Sequence, residues 1–159
     1  MAAVKTNAVR LLEAAGIQFA LGEYEVDEEN LSGVHAAELI GMPPEQVFKT
    51  LVARGDRNGV AVFCIPVAEE LDLKRAAAAS GNKNLQMVPV RDLLPLTGYV
   101  RGGCSPIGMK KHYPTYIDET CILFDRIAVS AGRRGLQLLI APEDLCEFIG
   151  AEQVRLTVS

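Results

Sequence analysis

Two apolar, β-branched runs, residues 46–54 and 60–67, flank the segment Gly55-Asp56-Arg57-Asn58-Gly59. That break is strong hairpin chemistry, because Asn58-Gly59 supplies the positive φ that a tight reversal needs. The runs therefore read as two antiparallel strands, and a chain with a strand pair near its middle must build a sheet around it. Helical spacing supplies the other layer. Thr6 caps a helix carrying Ala8, Leu11, Leu12 and Ala15 that Gly16 ends, and Ser32 caps a second, carrying Ala36, Ala37, Leu39 and Ile40, that stops at Gly41. Asp72 caps an alanine-rich helix ended by Gly81, and Pro142 opens a last helix that Gly150 ends. Further strands are expected over residues 17–26, 85–88, 115–117, 127–130, 136–140 and 154–158. Short strands interrupted by helices, without regular βαβ alternation, indicate an α+β fold: a mixed, barrel-like β-sheet with surrounding helices.

Composition narrows the function classes. With 159 residues, 49% hydrophobic and 23% charged, the chain matches an ordinary globular protein, and without repeats or linkers it reads as one domain over residues 1–159. No window approaches the roughly 18–20 uncharged apolar residues of a membrane span, and the first residues lack a signal-like pattern, so a cytoplasmic protein without a membrane partner is expected. The net charge of −4 is unevenly spread: residues 1–98 carry −4, residues 99–134 carry +3 and residues 135–159 carry −3. A positive middle segment suits a few phosphates and is too small for sequence-independent duplex binding, so DNA is not an expected partner. Cys64, Cys104, Cys121 and Cys146 lack any CxxC or CxxH spacing. No metal is expected, and the cysteines read as reduced, buried thiols, with Cys104 set apart by its glycine-rich surroundings.

Three segments could carry chemistry. Strand alternation in VFKTLV puts Lys49 between Val47 and Leu51. Such a lysine either snorkels from an edge strand or, among apolar walls, serves as a strong ligand for an anion or a carbonyl. The segment TGYVRGGCSPIGMKK, residues 97–111, has glycines at 98, 102, 103 and 108. It is either a structural turn or a backbone nest for an anion or a polarised carbonyl oxygen, and it matches neither a Walker loop nor a dinucleotide motif. Lys110 and Lys111 extend it with two point charges, and SAGRRG, residues 130–135, repeats glycines beside cations as a candidate opposite wall. His35 and His112 sit in contexts that do not favour a nucleophile–histidine mechanism.

Taken together, EYEVD (23–27), PEQVFKTL (44–51), TGYVRGGCSPIGMKK (97–111), PTYID (114–118) and SAGRRGL (130–136) resemble the YbaK family of aminoacyl-tRNA deacylases, relatives of the editing insertion of bacterial prolyl-tRNA synthetases. The resemblance implies cleavage of the ester of a mischarged tRNA without a cofactor, by hydrolysis or lyase-type release, cysteine on tRNA for proline being the first expectation. A different amino acid such as alanine, or a non-catalytic tRNA- or synthetase-binding regulator, is the alternative. By resemblance Lys49 is the central pocket lysine, Thr50 its neighbour and Tyr24 the pocket tyrosine. Gly102, Gly103, Cys104 and Ser105 surround the aminoacyl end, and Tyr99 of the same motif is a further substrate contact. Lys110, Lys111 and Arg133 are candidates for phosphates of the tRNA acceptor end, and prolyl-tRNA synthetase is a candidate partner. Two positions depart from the family pattern: Ser32 where an aromatic residue is common, and Gln137 where an acid is common. Both bear on amino-acid specificity. The resemblance also suggests that the substrate's own thiol attacks its carbonyl.

Overall fold

The computed structural model describes residues 5–158, so the outermost ends of the expected domain lie outside the described residues. Its elements run α1 (Asn7–Ala14), β1 (Ala20–Glu23), α2 (Gly33–Ile40), β2 (Phe48–Gly55), β3 (Gly59–Pro66), α3 (Leu73–Ala79), β4 (Leu85–Met87) and α4 (Val90–Thr97). They continue with β5 (Thr115–Asp118), β6 (Ile127–Ser130), β7 (Leu136–Ile140), α5 (Pro142–Ile149) and β8 (Glu152–Val154). The expected caps hold. The Val9, His35, Lys74 and Arg75 N–H groups donate to the side chains of Thr6, Ser32 and Asp72, satisfying amides that a helix start leaves unpaired.

The hairpin forms in full register from Phe48↔Pro66 to Gly55↔Gly59. Of its Asn-Gly pair only Gly59 takes a positive φ, of 71°. Asn58 instead stays in ordinary backbone territory and donates to the Ser80 and Gly81 carbonyls, while buried Asn82 accepts from the Arg57 and Asn58 N–H groups. The turn is thus held from outside, and it does not need two left-handed residues.

Other expectations move. The strand expected over 17–26 is confined to β1, and the one expected over 154–158 lies earlier, at β8, leaving a single bridge between Leu71 and Thr157. Helix α4 was not expected at all. Pro89 precedes it without a side-chain cap and Pro95 lies inside it, both marks of a break in sequence.

The fold is mixed, but the strands do not close into one barrel. Hydrogen bonding divides them into a five-stranded sheet, β4-β2-β3-β5-β8, and a three-stranded sheet, β1-β7-β6. β3/β5 and β5/β8 are parallel, and the other pairs are antiparallel. The sheets meet at one parallel bridge, Val47 to Ala128. This bridge has a consequence for β2. One edge of β2 is fully taken by β3, so β6 at Val47 and β4 at Ala53–Gly55 must share the other edge. Residues 48–51 on that edge have no strand partner among the described residues.

The glycine-rich loop after α4 docks on the β6–β7 connection by backbone contact. A Cβ on Gly103 would lie 2.9 Å from Arg133 Cα and C and from Arg134 N, none of which can swing aside. The Gly103 N–H donates to the Val100 carbonyl, and Arg134 Nε donates to the Arg101 carbonyl. Gly103→Ala should therefore force the loops apart, at a cost of about 1–3 kcal/mol. Urea unfolding measures this, and an unchanged midpoint would show that the contact is not what joins them.

Candidate functional site

A cleft of about 430 Å³ opens where β2 lacks a partner. Every residue from Val47 to Val52 lines it, as expected of a strand seen from its edge. Tyr24, Ser32 and Gly33 close one side, Gly102 and Cys104 another, and Ser130 and Gln137 the end next to β6 and β7. Gly33 is required there, since a Cβ would stand 2.4 Å from Val67 Cγ1 and push the start of α2 away from the cleft wall.

Lys49 sits half-buried in this wall, and burial holds its pKa below the usual lysine range, while the nearby carboxylates of Glu70 and Glu69 pull the other way. Its ammonium is thus incompletely solvated and available to an anionic or carbonyl ligand. Thr50 places its hydroxyl 3.9 Å from Cys64 Sγ across the hairpin. The Val52 carbonyl accepts from the Val88 N–H, so strand alternation turns the Thr50 N–H and C=O to the same edge, into the gap. Gln137 is nearly fully buried, and its Oε1 has no hydrogen-bond partner among the described residues. An orphaned acceptor in a cleft wall marks a place for a donor, because leaving it unmet costs about 1–3 kcal/mol.

The cleft offers no activated protein nucleophile. Burial pushes the Cys104 thiol up to about 11, opposed by a hydrogen bond from Thr97, so at neutral pH it is a protonated, weakly reactive group. Cys64, behind Thr50, is pushed up to about 12 by burial. All four cysteines are free and buried. Among the described residues no three His, Cys, Asp or Glu side chains gather as metal ligands, and no helix is long and apolar enough to cross a membrane.

The structure thus brings together Tyr24, Ser32, Lys49, Thr50, Gly102, Cys104 and Gln137. It places the remaining candidates elsewhere. Ser105 is fully buried, with its hydroxyl accepting from the Ile107 N–H, and Gly103 is spent on loop docking. Tyr99 is wedged under Gly132, donates to the Ile107 carbonyl and is driven up to about 12 by burial, with the nearby Cys104 adding to the shift. Lys110 and Lys111 are exposed on the outer side of the loop, where the Lys110 stem lies over Gly98, and Arg133 faces Glu23 at 3.6 Å. Ser130, the first residue of the SAGRRG candidate wall, does line the cleft, and so do Arg101, Met87, Val88, Val90 and Leu93, none of them a candidate from the sequence. Arg101 lies within a quoted motif and could have been found there; residues 87–93 carry no motif.

Residues 28–148 match the aminoacyl-tRNA editing domain family. The chain belongs to that family. A protein of Enterococcus faecalis with the provisional name Cys-tRNA(Pro)/Cys-tRNA(Cys) deacylase EbsC is 44% identical over 153 residues, covering 96% of this chain and 93% of that protein. A proline–tRNA ligase of Thermosipho africanus is 29% identical over 102 residues, covering 57% of this chain and 18% of the ligase. Among solved structures, one described as a provisional trans-editing enzyme for prolyl-tRNA synthetase superimposes with a TM-score of 0.82 at 24% identity, covering 99% of this chain and 100% of that one. Another, a hypothetical protein, gives 0.84 at 22% identity over 93% and 97%. These two likenesses show the fold, which is that of the editing domains.

Burial disfavours the Lys49 ammonium, so the charge costs stability where it stands. Lys49→Met should lower ester cleavage by at least about tenfold while melting no lower than the parent protein. The sign follows from the lowered pKa: the unfolded chain keeps the proton more tightly, so the parent gains stability from this group as pH rises toward the lysine range. The melting advantage of the variant should accordingly shrink above neutral pH, and a variant that melts lower at pH 7 would place Lys49 in the fold instead.

Proposed function

We propose that this protein is a free-standing editing deacylase that cleaves the aminoacyl ester of mischarged tRNA, acting first on cysteine attached to tRNA for proline, within one domain spanning residues 1–159. The observation that carries the proposal is the convergence on one cleft of Lys49, the glycine loop at Gly102 and Cys104, and the unpartnered Oε1 of Gln137. An aminoacyl ester presents a carbonyl oxygen that gains charge, an α-ammonium that donates, and a ribose and phosphate on the leaving side. The Gly102 and Cys104 backbone would face the oxygen, Gln137 Oε1 would accept from the α-ammonium, and Lys49 would fix the terminal nucleotide.

Attack comes from the substrate. Its thiol sulfur bonds to its own carbonyl carbon, the ester C–O bond breaks, and the proton released from sulfur ends on the ribose hydroxyl of the departing tRNA. The product is a cyclic thioester that water opens to free cysteine. This scheme asks the protein only for orientation and electrostatics, in keeping with a cleft whose one thiol, Cys104, is held protonated. Gln137, being neutral, binds the ammonium less strongly than an acid would, which places more of the selectivity on the thiol itself.

A panel of mischarged tRNAs, scored for released amino acid, tests the reading. Cysteine should be released, seryl-tRNA should be spared by at least about tenfold, and Cys104→Ser should keep substantial turnover. Cleavage of the seryl ester at the cysteinyl rate, or an acyl group trapped on Cys104, would replace substrate-assisted attack, and no release from any tRNA would end the deacylase reading.

Lys110 and Lys111 lie outside the cleft and belong, on this proposal, to docking of the acceptor end, with prolyl-tRNA synthetase as the candidate partner for choosing the tRNA. Replacing both with alanine should weaken tRNA binding and flatten its dependence on log salt by about one unit or less per lost contact, with little effect on a short aminoacyl-adenosine. Equal loss on both substrates, with the salt slope intact, would assign them to the cleft or the fold.

A further inference from the structure

The guanidinium of Arg134, in the β6–β7 connection, makes two bonds to segments far from it in sequence. Nε donates to the Arg101 carbonyl at 2.9 Å, and Nη1 donates to Glu28 Oε2 at 2.9 Å. The side chain runs close under Gly102, where a Cβ would lie 3.4 Å from Nε and 3.5 Å from Cγ. The carbonyl that Nε holds belongs to the central peptide of a turn. The Gly103 N–H donates to the Val100 carbonyl, Arg101 and Gly102 lie between, and Gly102 has a φ of 85°. A positive φ at the third residue is the type II arrangement, which differs from type I by about half a turn of that central peptide. Glycine takes either sign of φ at this position, so the turn alone does not fix which way the peptide faces.

We infer that Arg134 is a positioning residue: by holding the Arg101 carbonyl it sets the orientation of the Arg101–Gly102 peptide and aims the Gly102 N–H into the cleft. The peptide is trans, so its C=O and N–H point in opposite directions. Arg134 does not line the cleft and Gly102 does, so a carbonyl turned to Arg134 leaves the N–H facing the other way, toward the ligand space. That N–H has no acceptor among the described residues. The guanidinium also polarises the amide, because a cation on the carbonyl oxygen makes the N–H of the same peptide a stronger donor. Glu28 takes the second arm of the fork and so fixes the plane of the guanidinium with Nε on the carbonyl. The identity of the oxygen that meets the N–H, the ester carbonyl, rests on the deacylase reading; the orientation of the peptide does not.

Residual dipolar couplings of the backbone amides read the orientation directly. In Arg134→Ala the Gly102 N–H coupling should change, while that of Gly103, held by the Val100 carbonyl, should stay as in the parent. On cysteine attached to tRNA for proline the same variant should lose at least about tenfold in kcat with KM within about threefold, since the donor acts on the oxygen as it gains charge. Added methylguanidinium should restore part of that loss. A Gly102 coupling that does not move, or a kcat within about twofold of the parent, would overturn the role. Gly102 and Gly103 couplings that change together, without rescue, would make Arg134 a brace of the whole loop and overturn it equally. If the parent cleaves no aminoacyl-tRNA while Arg134→Ala still turns Gly102 alone, the deacylase reading falls and the positioning of the peptide stands.

Discussion

The architecture of the site depends on one strand edge being shared unequally. β2 pairs with β3 along its whole length on one side, but on the other its ladder pairing among the described residues is confined to β4 at Ala53–Gly55, with a single bridge to β6 from Val47 just before it. An unpaired strand edge inside a protein is normally a liability, because its N–H and C=O groups are desolvated without partners. Here the gap is kept open by its surroundings. Gly33 brings the start of α2 up to Val67, and Gly103 seats its loop on the backbone of Arg133 and Arg134. The resulting walls are far apart in the chain yet fixed by close contacts, one to the residue after β3 and one to the β6–β7 connection.

The electrostatics of the cleft follow from this burial. The walls that exclude water depress the charged form of Lys49 and suppress ionisation of Cys104. A partly desolvated ammonium acts strongly on a nearby anion, whereas a protonated thiol contributes little nucleophilic power. On the proposed reading, these effects and the unpartnered Gln137 Oε1 suit the cleft to positioning and charge stabilisation more than to covalent catalysis. That division of labour suits a substrate able to supply its own attacking atom, and it leaves discrimination between amino acids to the substrate's chemistry as much as to the shape of the walls.

Much of the secondary structure was legible in the sequence because its determinants are local. Thr6, Ser32 and Asp72 cap helices through side-chain oxygens a few residues from the amides they satisfy, and the β2–β3 register follows from the turn between the strands. Lys49 stood out by its apolar neighbours, and the motif resemblance pointed to most of the polar cleft wall. Helix α4 was not legible: Pro89 and Pro95 mask an eight-residue helix that meets the core through Leu93 and buried Thr97, while Val90 and Leu94 stay exposed. With it went the apolar half of the cleft, since residues 87–93 carry no motif.

By itself the sequence determined the local elements, the mixed fold class and the residue types that chemistry needs. Tertiary structure decided which of those residues share a cavity. One glycine-rich segment supplies Gly102 and Cys104 to the cleft, Gly103 and Ser105 to buried packing, Tyr99 to a clamp under Gly132, and Lys110 and Lys111 to the outer surface. The division of the strands into two sheets, in place of a closed barrel, was likewise settled only in three dimensions. The reason is physical: caps, turns and periodicity act between residues a few positions apart, whereas the Val47–Ala128 bridge and the Gly103–Arg133 contact join segments far apart in the chain. Such pairings depend on how all the layers pack at once.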